Sequence, residues 1–203
     1  MNKTMRLPGS AAALALALAC LAAPFAASAD ALQIANSVCL GCHGVGGVSY
    51  DANYPRLAGQ QPTYMVKQLG EFVSGKRSNP EMLPFLKSID PAEFAGLAAY
   101  FAAQKVPPGK VTDAALVAAG KKLFEEGNAA SGVAACTGCH QPGAVGNEKY
   151  PRLAGQHAAY LVKQMRSFKA GTRTNDKARE MRGVAEKLTE QEMAAAAAYL
   201  ASL

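Results

Sequence analysis

Two copies of the pattern Cys-x-x-Cys-His are the part of this sequence best suited to chemistry. They occupy residues 39–43 and 136–140. Two thiols at this spacing can add to the vinyl groups of a haem, and the His that follows can reach the iron as its proximal ligand. The sequence therefore predicts two covalently bound haem c groups. The predicted attachment residues are Cys39, Cys42, Cys136 and Cys139, and the predicted proximal ligands are His43 and His140.

Three other uses of paired cysteines fit less well. A zinc knuckle needs four ligands close together, whereas each motif has three and the motifs are 97 residues apart. A redox dithiol has no use for the His, and the expected βαβ pattern is missing. Structural disulfides are common in exported chains, but they do not explain a His directly after each second cysteine.

A proximal His needs a partner for its second ring nitrogen, which fixes the tautomer and the ring orientation. Pro55 and Pro151 follow the two motifs closely, and we expect their carbonyls to accept these hydrogen bonds.

The two motifs lie in an internal repeat. Tyr-Pro-Arg-Leu-Ala-Gly-Gln at residues 54–60 recurs at 150–156, and related segments follow at nearly the same offset. A period near 97 residues is too long for a solenoid and indicates a duplicated domain. The predicted first domain covers residues 30–106 and the second covers 113–203. The linker is predicted at 107–112, where Pro107, Pro108 and Gly109 interrupt any helix.

Each repeat reads as all-helical, with apolar residues at helical spacing and no persuasive strand pattern. Glycines follow each His, and they allow the chain to turn around a bound group there. A domain of this size has a marginal core, which a buried haem would complete. The predicted helices cover residues 31–38, 62–74 and 91–104 in the first repeat and 114–126, 158–170 and 190–202 in the second.

The sixth iron ligand separates an electron carrier from an enzyme, and the repeat helps to find it. Five methionines remain after the N-terminal leader, and three of them align with other large apolar residues, which favours core packing. Met82 and Met181 align with each other, in what we predict to be a loop. We expect both to be axial ligands, although the alignment needs a three-residue insertion before Met181. The three predicted core methionines are Met65, Met165 and Met193.

Four further residues recur in the repeated segment: Tyr54, Arg56, Tyr150 and Arg152. Arginine is a planar donor to carboxylates, so these residues are predicted to contact the haem propionates. The alternative is a solvated loop with each tyrosine packed on the haem edge. His157 aligns with Gln61, and we expect it to be a surface side chain.

The N-terminal 29 residues read as a secretory signal peptide, which predicts a periplasmic protein. Lys3 and Arg6 precede an apolar run, and Ala-Ser-Ala at residues 27–29 is a cleavage signal. The run is too short for a comfortable membrane span. Cys20 lies inside it, but Ala17 stands where a lipoprotein signal needs Leu, so lipidation is not predicted. Whether the mature protein is free or peripherally membrane-associated stays open.

The charge does not indicate nucleic-acid binding. The formal net charge of +6 falls when the leader leaves, the haem propionates would offset the rest, and no dense basic run is interleaved with aromatics. From residue 30 onward, basic residues exceed acidic ones only after residue 108, which fits either solubility or a charge dipole that steers docking.

With these features, the sequence resembles the dihaem cytochrome c4 family, whose members have two class I cytochrome c domains. The resemblance covers essentially the whole mature chain. It implies His/Met coordination at both irons and haems that face each other across a domain interface. It also implies redox protein partners, with electrons delivered to a membrane-bound terminal oxidase or another periplasmic reductase.

One feature departs from that pattern. Gly120 and Phe124 match the helix contact of class I domains, but residues 31–38 offer no clear equivalent in the first repeat. This leaves a second hypothesis, a small dihaem oxidoreductase that acts on a sulfur compound or a peroxide. It would need one exchangeable iron ligand, and the first domain is the expected place.

Overall fold

The computed structural model describes Met1 and residues 28–203, so the predicted leader lies almost wholly outside the described residues. In the described part the regular structure is helical, and the extended residues Asn128 and Val133 form one isolated bridge. The all-α prediction is confirmed. Over the same residues, no helix has both the length and the apolar character needed to cross a membrane.

The described residues of the first half, from 28 onward, contain five α-helices. They are α1 (Ala29–Ile34), α2 (Leu40–His43), α3 (Pro62–Val73), α4 (Leu83–Lys87) and α5 (Phe94–Ala102). A π-helical turn at Ala35–Cys39 joins α1 to α2, so the chain runs helically into the first His. The first helix is therefore longer than predicted. Asp90 starts the last helical segment, because its side chain accepts from the amide of Ala92 at 2.9 Å.

The second half repeats this order. It contains α6 (Ala114–Glu126), α7 (Thr137–His140), α8 (Ala158–Lys169), α9 (Glu180–Lys187) and α10 (Glu190–Ser202). The capping box predicted from Thr189 and Glu192 is present at the start of α10. The sequence did not predict α4 and α9, because each is too short to show a helical period and each follows a segment without apolar spacing.

Each half has its own apolar core. In the first half, α1, α3, α4 and α5 contribute buried residues that include Phe72, Leu97 and Phe101. In the second half, α10 is buried along most of its length against α6 and α8, with Phe124 and Met193 almost fully buried. These cores hold the helices that lead into and away from the two motifs.

The expectation that the first half lacks the class I helix contact is wrong. In the second half, α6 approaches α10 at Gly120, where a Cβ would overlap the carbonyl of Ala195. In the first half the glycine is on the other helix, since Gly96 of α5 faces the methyl group of Ala31. A Cβ on Gly96 would lie only 2.8 Å from that methyl carbon. The helices approach closely in both halves because one partner in each pair is glycine. In the first half this glycine lies outside residues 31–38, so the pattern of that segment does not reveal the contact.

The segment predicted as a linker packs against the second half, and the residue before it contacts both halves. Just before it, Val106 lies between Gly59 and Gly155, which are equivalent glycines of the repeated segment with φ of 66° and 74°. A side chain on Gly59 would overlap Val106. The amide of Lys110 then donates to the carbonyl of Ala201 at 3.0 Å. The connection therefore helps to fix how the halves meet.

Candidate haem sites

The first motif places His43 at the end of α2 with one ring nitrogen already engaged. Its Nδ1 lies 2.8 Å from the carbonyl oxygen of Pro55. A carbonyl can only accept, so Nδ1 carries the proton and Nε2 keeps its lone pair. In the part of the chain that the structure describes, this Nε2 is buried without a hydrogen-bond partner. A buried polar atom of this kind needs a ligand, and iron is the one that suits it.

His140 makes the same Nδ1 contact at the end of α7. Its Nδ1 lies 3.1 Å from the carbonyl oxygen of Pro151, so both expected hydrogen bonds to proline carbonyls are present. Burial lowers the pKa of both imidazoles, against the opposing effect of the proline carbonyls. Both rings are therefore held neutral, which is the form that coordinates a metal.

The four motif cysteines are free thiols, not disulfides. Burial raises the pKa of Cys39 to about 11 and also raises the pKa of Cys136. Reactive cysteines in redox dithiols have lowered pKa values instead. The thiols, the free Nε2 and the adjoining apolar cores all fit a haem bound through two thioethers and one imidazole.

The loops after the two histidines turn through left-handed backbone. The first uses glycines, including Gly44 and Gly47 with φ of 74° and 76°. The second places Gln141 and Ala144 at the equivalent positions, with φ of 67° and 54°. Holding a residue with a side chain there costs about 1–3 kcal/mol. The second loop is thus kept in shape by its surroundings, which composition alone does not reveal.

The repeated tyrosines lie beside the proximal histidines. The ring of Tyr54 meets that of His43 edge-on at a centroid distance of 6.4 Å, and Tyr150 meets His140 at 6.0 Å. The Tyr150 hydroxyl is also 3.5 Å from a carboxylate oxygen of Glu180. The structure therefore brings both tyrosines to the motif, and their propionate contacts stay a prediction.

The repeated arginines lie where the two halves meet. The Nε atoms of Arg56 and Arg152 are buried, and within the described residues neither has a hydrogen-bond partner. One terminal nitrogen of Arg56 donates to the carbonyl of Gly155 at 2.6 Å. A buried guanidinium N–H without an acceptor favours an anion nearby, so these atoms support the predicted propionate contacts.

Two glutamines that end the repeated segment clamp the halves together. The Gln156 side chain accepts from the amide of Arg56 and donates to its carbonyl, both at 2.9 Å. The Gln60 side chain does the same with Arg152, at 2.9 and 3.0 Å. These glutamines are functional residues that the sequence motifs do not point to, although both recur at the end of the repeated segment.

His157 is not the surface residue that its alignment suggested. It is half-buried, and its Nε2 lies 3.0 Å from the carbonyl oxygen and 2.9 Å from the hydroxyl of Ser49, in the other half. The Ser49 hydroxyl already donates to the carbonyl of Tyr54, so Nε2 is the donor to both oxygens. Because its Nε2 is engaged by Ser49 of the other half, His157 belongs to the domain interface and is not an iron ligand.

The two aligned methionines are placed at the start of short helices. Met82 directly precedes α4, is partly buried, and packs against the same core as Cys39. Met181 is the second residue of α9, so the expected loop position is wrong for it. Ala178 and Arg179, just before it, have φ of 50° and 60° in the left-handed region. This turn lies in the segment where the alignment needs the three-residue insertion.

The other three methionines pack in the cores as expected. Met65 and Met193 are buried, and Met165 is partly buried against both clusters of the second half. This leaves Met82 and Met181 as the methionines with a possible separate role.

Known proteins show the same organisation. The family model described as Cytochrome c matches residues 117–203. Cytochrome c4 of Pseudomonas aeruginosa is 43% identical over 181 residues, which is 88% of this chain and 90% of the relative. A thiosulfate dehydrogenase electron acceptor of Thiomonas intermedia is 39% identical over 169 residues, 81% of this chain and 77% of that protein.

A solved structure extends the likeness to three dimensions. The crystal structure of reduced recombinant cytochrome c4 from Pseudomonas stutzeri gives a TM-score of 0.82 at 42% identity, covering 88% of this chain and 100% of that one. The resemblance inferred from the motifs is thus confirmed. The chain belongs to the cytochrome c4 family and is an electron carrier that holds covalently bound haem c in its tandem domains.

Proposed function

We propose that this carrier works in the periplasm and passes single electrons from respiratory-chain donors to a membrane-bound terminal oxidase or reductase. The observation that carries the proposal is the pair of buried histidines, each with Nδ1 bound to a proline carbonyl, which leaves Nε2 as the nitrogen that can bind a metal. The predicted signal peptide supports the compartment, because haem c proteins with such leaders are exported.

Each side chain has a distinct part in this proposal. Bound haem c supplies a one-electron iron couple. In the holoprotein His43 and His140 would each coordinate one iron, and Met82 and Met181 would supply the remaining ligands, which would leave no position for a substrate. Arg56 and Arg152 place positive charge at the domain boundary, where it binds propionates and favours the reduced state.

The enzyme alternative rested on weaker packing in the first domain. The contact between Ala31 and Gly96 restores that packing, so the first domain offers no special reason for an exchangeable ligand. The relative from Thiomonas intermedia, named as the electron acceptor of a thiosulfate dehydrogenase, supports a carrier that takes electrons from a separate enzyme. We therefore propose redox proteins as the partners, and no nucleic acid.

The proposal is tested with purified holoprotein whose mass shows two haem adducts. The protein is reduced chemically and mixed with membranes that contain a terminal oxidase. We expect rapid reoxidation of both haems that cyanide abolishes, while protein without membranes stays reduced. Reoxidation that is equally fast without membranes, or none with any respiratory membrane, would contradict the assigned role.

A further inference from the structure

Two arginines that follow α3 and α8 meet at the domain boundary. Arg77 and Arg173 hold equivalent positions, two residues after a glycine with φ near 75°, namely Gly75 (76°) and Gly171 (72°). Their amides donate back into the preceding helices, at 2.9 Å to Glu71 and 3.0 Å to Ser167. The same helix ending thus aims both guanidinium groups at the interface.

Arg77 binds both domains. It donates to the Gln68 side-chain oxygen of its own domain at 2.8 Å. Its other terminal nitrogen donates across the boundary, to the Tyr160 hydroxyl at 3.0 Å and to the Gln164 side-chain oxygen at 3.1 Å.

Arg173 mirrors these bonds from the second domain. It donates to Gln164 of its own domain at 2.8 Å. Across the boundary it reaches the Tyr64 hydroxyl at 3.0 Å and the Gln68 oxygen at 3.1 Å. We name the set the arginine cluster: Arg77, Arg173, Gln68, Gln164, Tyr64 and Tyr160.

The cluster is buried or partly buried at each member and has no carboxylate in direct contact with either guanidinium, as far as the described residues show. Arg173 is 9% exposed and Gln68 is 5% exposed. Each guanidinium also stacks on a phenylalanine, Phe72 or Phe168, at 4.5 Å from the ring centroid. Two buried like charges that share neutral acceptors are costly, and such groups are better suited to fixing one arrangement than to adding stability.

From the cluster, hydrogen bonds and one peptide link lead to Arg182, the residue after Met181. Arg173 donates through Nε to the Asn175 side-chain oxygen at 2.9 Å. The Asn175 amide nitrogen then donates into the first domain, to Gln68 at 2.9 Å and to the Glu71 carboxylate at 2.6 Å. The segment that precedes Met181 is therefore held by the first domain.

The last part of this path fixes the residue after Met181. The Asp176 carboxylate accepts from the Arg182 side chain at 2.7 Å and from the Arg182 amide at 2.9 Å. In the first domain, the segment before Met82 has a local anchor instead, since Asn79 accepts from the amides of Glu81 and Met82 at 2.9 and 3.3 Å. The two methionine segments are thus anchored differently.

We propose that Arg173 and Asn175 are positioning residues, which hold Met181 at the second iron through their hydrogen bonds to the first domain. The inference rests on the proposed ligand role of Met181. It implies that the methionine bond of the second haem depends on how the domains dock, whereas that of the first haem does not. A change in the first domain should then alter ligand exchange in the second.

The test measures cyanide displacement of the axial methionine at each oxidised haem in the full-length holoprotein. In the reduced protein each axial methionine gives its own upfield methyl resonance, and Met181→Ala assigns the second haem. Asn175→Ala removes the bonds to Gln68 and Glu71, and Glu71→Ala removes one acceptor from the first-domain side. Lys177→Ala, at an exposed position in the same segment, is the matched control.

We expect Asn175→Ala and Glu71→Ala each to speed displacement at the second haem roughly three- to tenfold, the effect of one lost hydrogen bond. The first haem and the Lys177→Ala variant should be unchanged, and the double variant should be no faster than Asn175→Ala. Unchanged rates at the second haem, or equal acceleration at both haems, would overturn the inference. If Met181→Ala removes neither methionine resonance, the proposed ligand set fails instead.

Discussion

Each proximal histidine donates to a proline carbonyl 11 or 12 residues later in the chain. This bond makes the metal-binding nitrogen more basic and fixes the plane of the ring. It could be predicted from sequence because the motif demands a carbonyl and the repeat places Pro55 and Pro151 at matching positions. The buried Nε2 of His43 is the structural counterpart of that prediction.

Replacement of either aligned methionine tests the ligand set at this scale. Met82→Ala and Met181→Ala should each remove about half of the weak sulfur-to-iron band at the red end of the oxidised spectrum, because each iron loses its thioether. Met65→Ala, which removes a buried core methionine, is the control and should keep the whole band. A full band in both ligand variants would exclude these residues.

The arginines at the boundary should influence the reduction potentials. Arg56→Gln removes a positive charge near a propionate, so the oxidised iron becomes relatively more stable and the potential falls. We expect tens of millivolts, since about 60 mV corresponds to 1.4 kcal/mol for a one-electron couple. Potentiometric titration measures this effect, with Arg166→Gln, exposed on α8, as the control. A rise in potential would show that the guanidinium faces no propionate.

At the scale of elements, the contact between the first and last helix of each domain depends on one glycine. A methyl group on Gly120 would overlap the backbone of α10, so Gly120→Ala should lower the free energy of unfolding by about 1–3 kcal/mol. In α9, a Cβ on Gly183 would have no neighbour within 4 Å, so Gly183→Ala should raise the free energy of unfolding by about 1 kcal/mol. Thermal denaturation of the holoprotein compares them, and equal stability of both variants would contradict the contact.

The sequence predicted the long helices well and missed the short helices α4 and α9. Apolar spacing located α3, α8 and α10 to within a residue or two, and the Thr189 capping box gave the start of α10. In contrast, α4 and α9 are too short to carry a period. The left-handed turn at Ala178 and Arg179 could not be foreseen either, because no glycine marks it and tertiary contacts hold it.

At the scale of the molecule, the interface uses the residues that the repeat conserves. Gln60 and Gln156 each hold the backbone of the opposite arginine, and Val106 fills the space between Gly59 and Gly155. The motifs predicted two domains and two haems from spacing alone. They could not predict these contacts or that of His157, because a self-alignment shows which residues recur and not which ones face each other.

The paired glutamines should control docking. Gln60→Ala and Gln156→Ala each leave two backbone groups of an arginine without their partner, which costs about 1–3 kcal/mol. We expect limited proteolysis to cut residues 107–112 faster in both variants than in the parent protein. Gln191→Ala, exposed on α10, should cut at the parental rate. If all three variants behave alike, the clamp does not hold the domains together.

The central claim is that both irons are closed by methionine, which makes the molecule a carrier of two electrons in single steps. Carbon monoxide binding to the fully reduced holoprotein tests this most directly, because it needs an open position on ferrous haem. The account predicts an unchanged spectrum at neutral pH for a protein whose mass shows two haem adducts. Rapid, stoichiometric binding at either haem would contradict it.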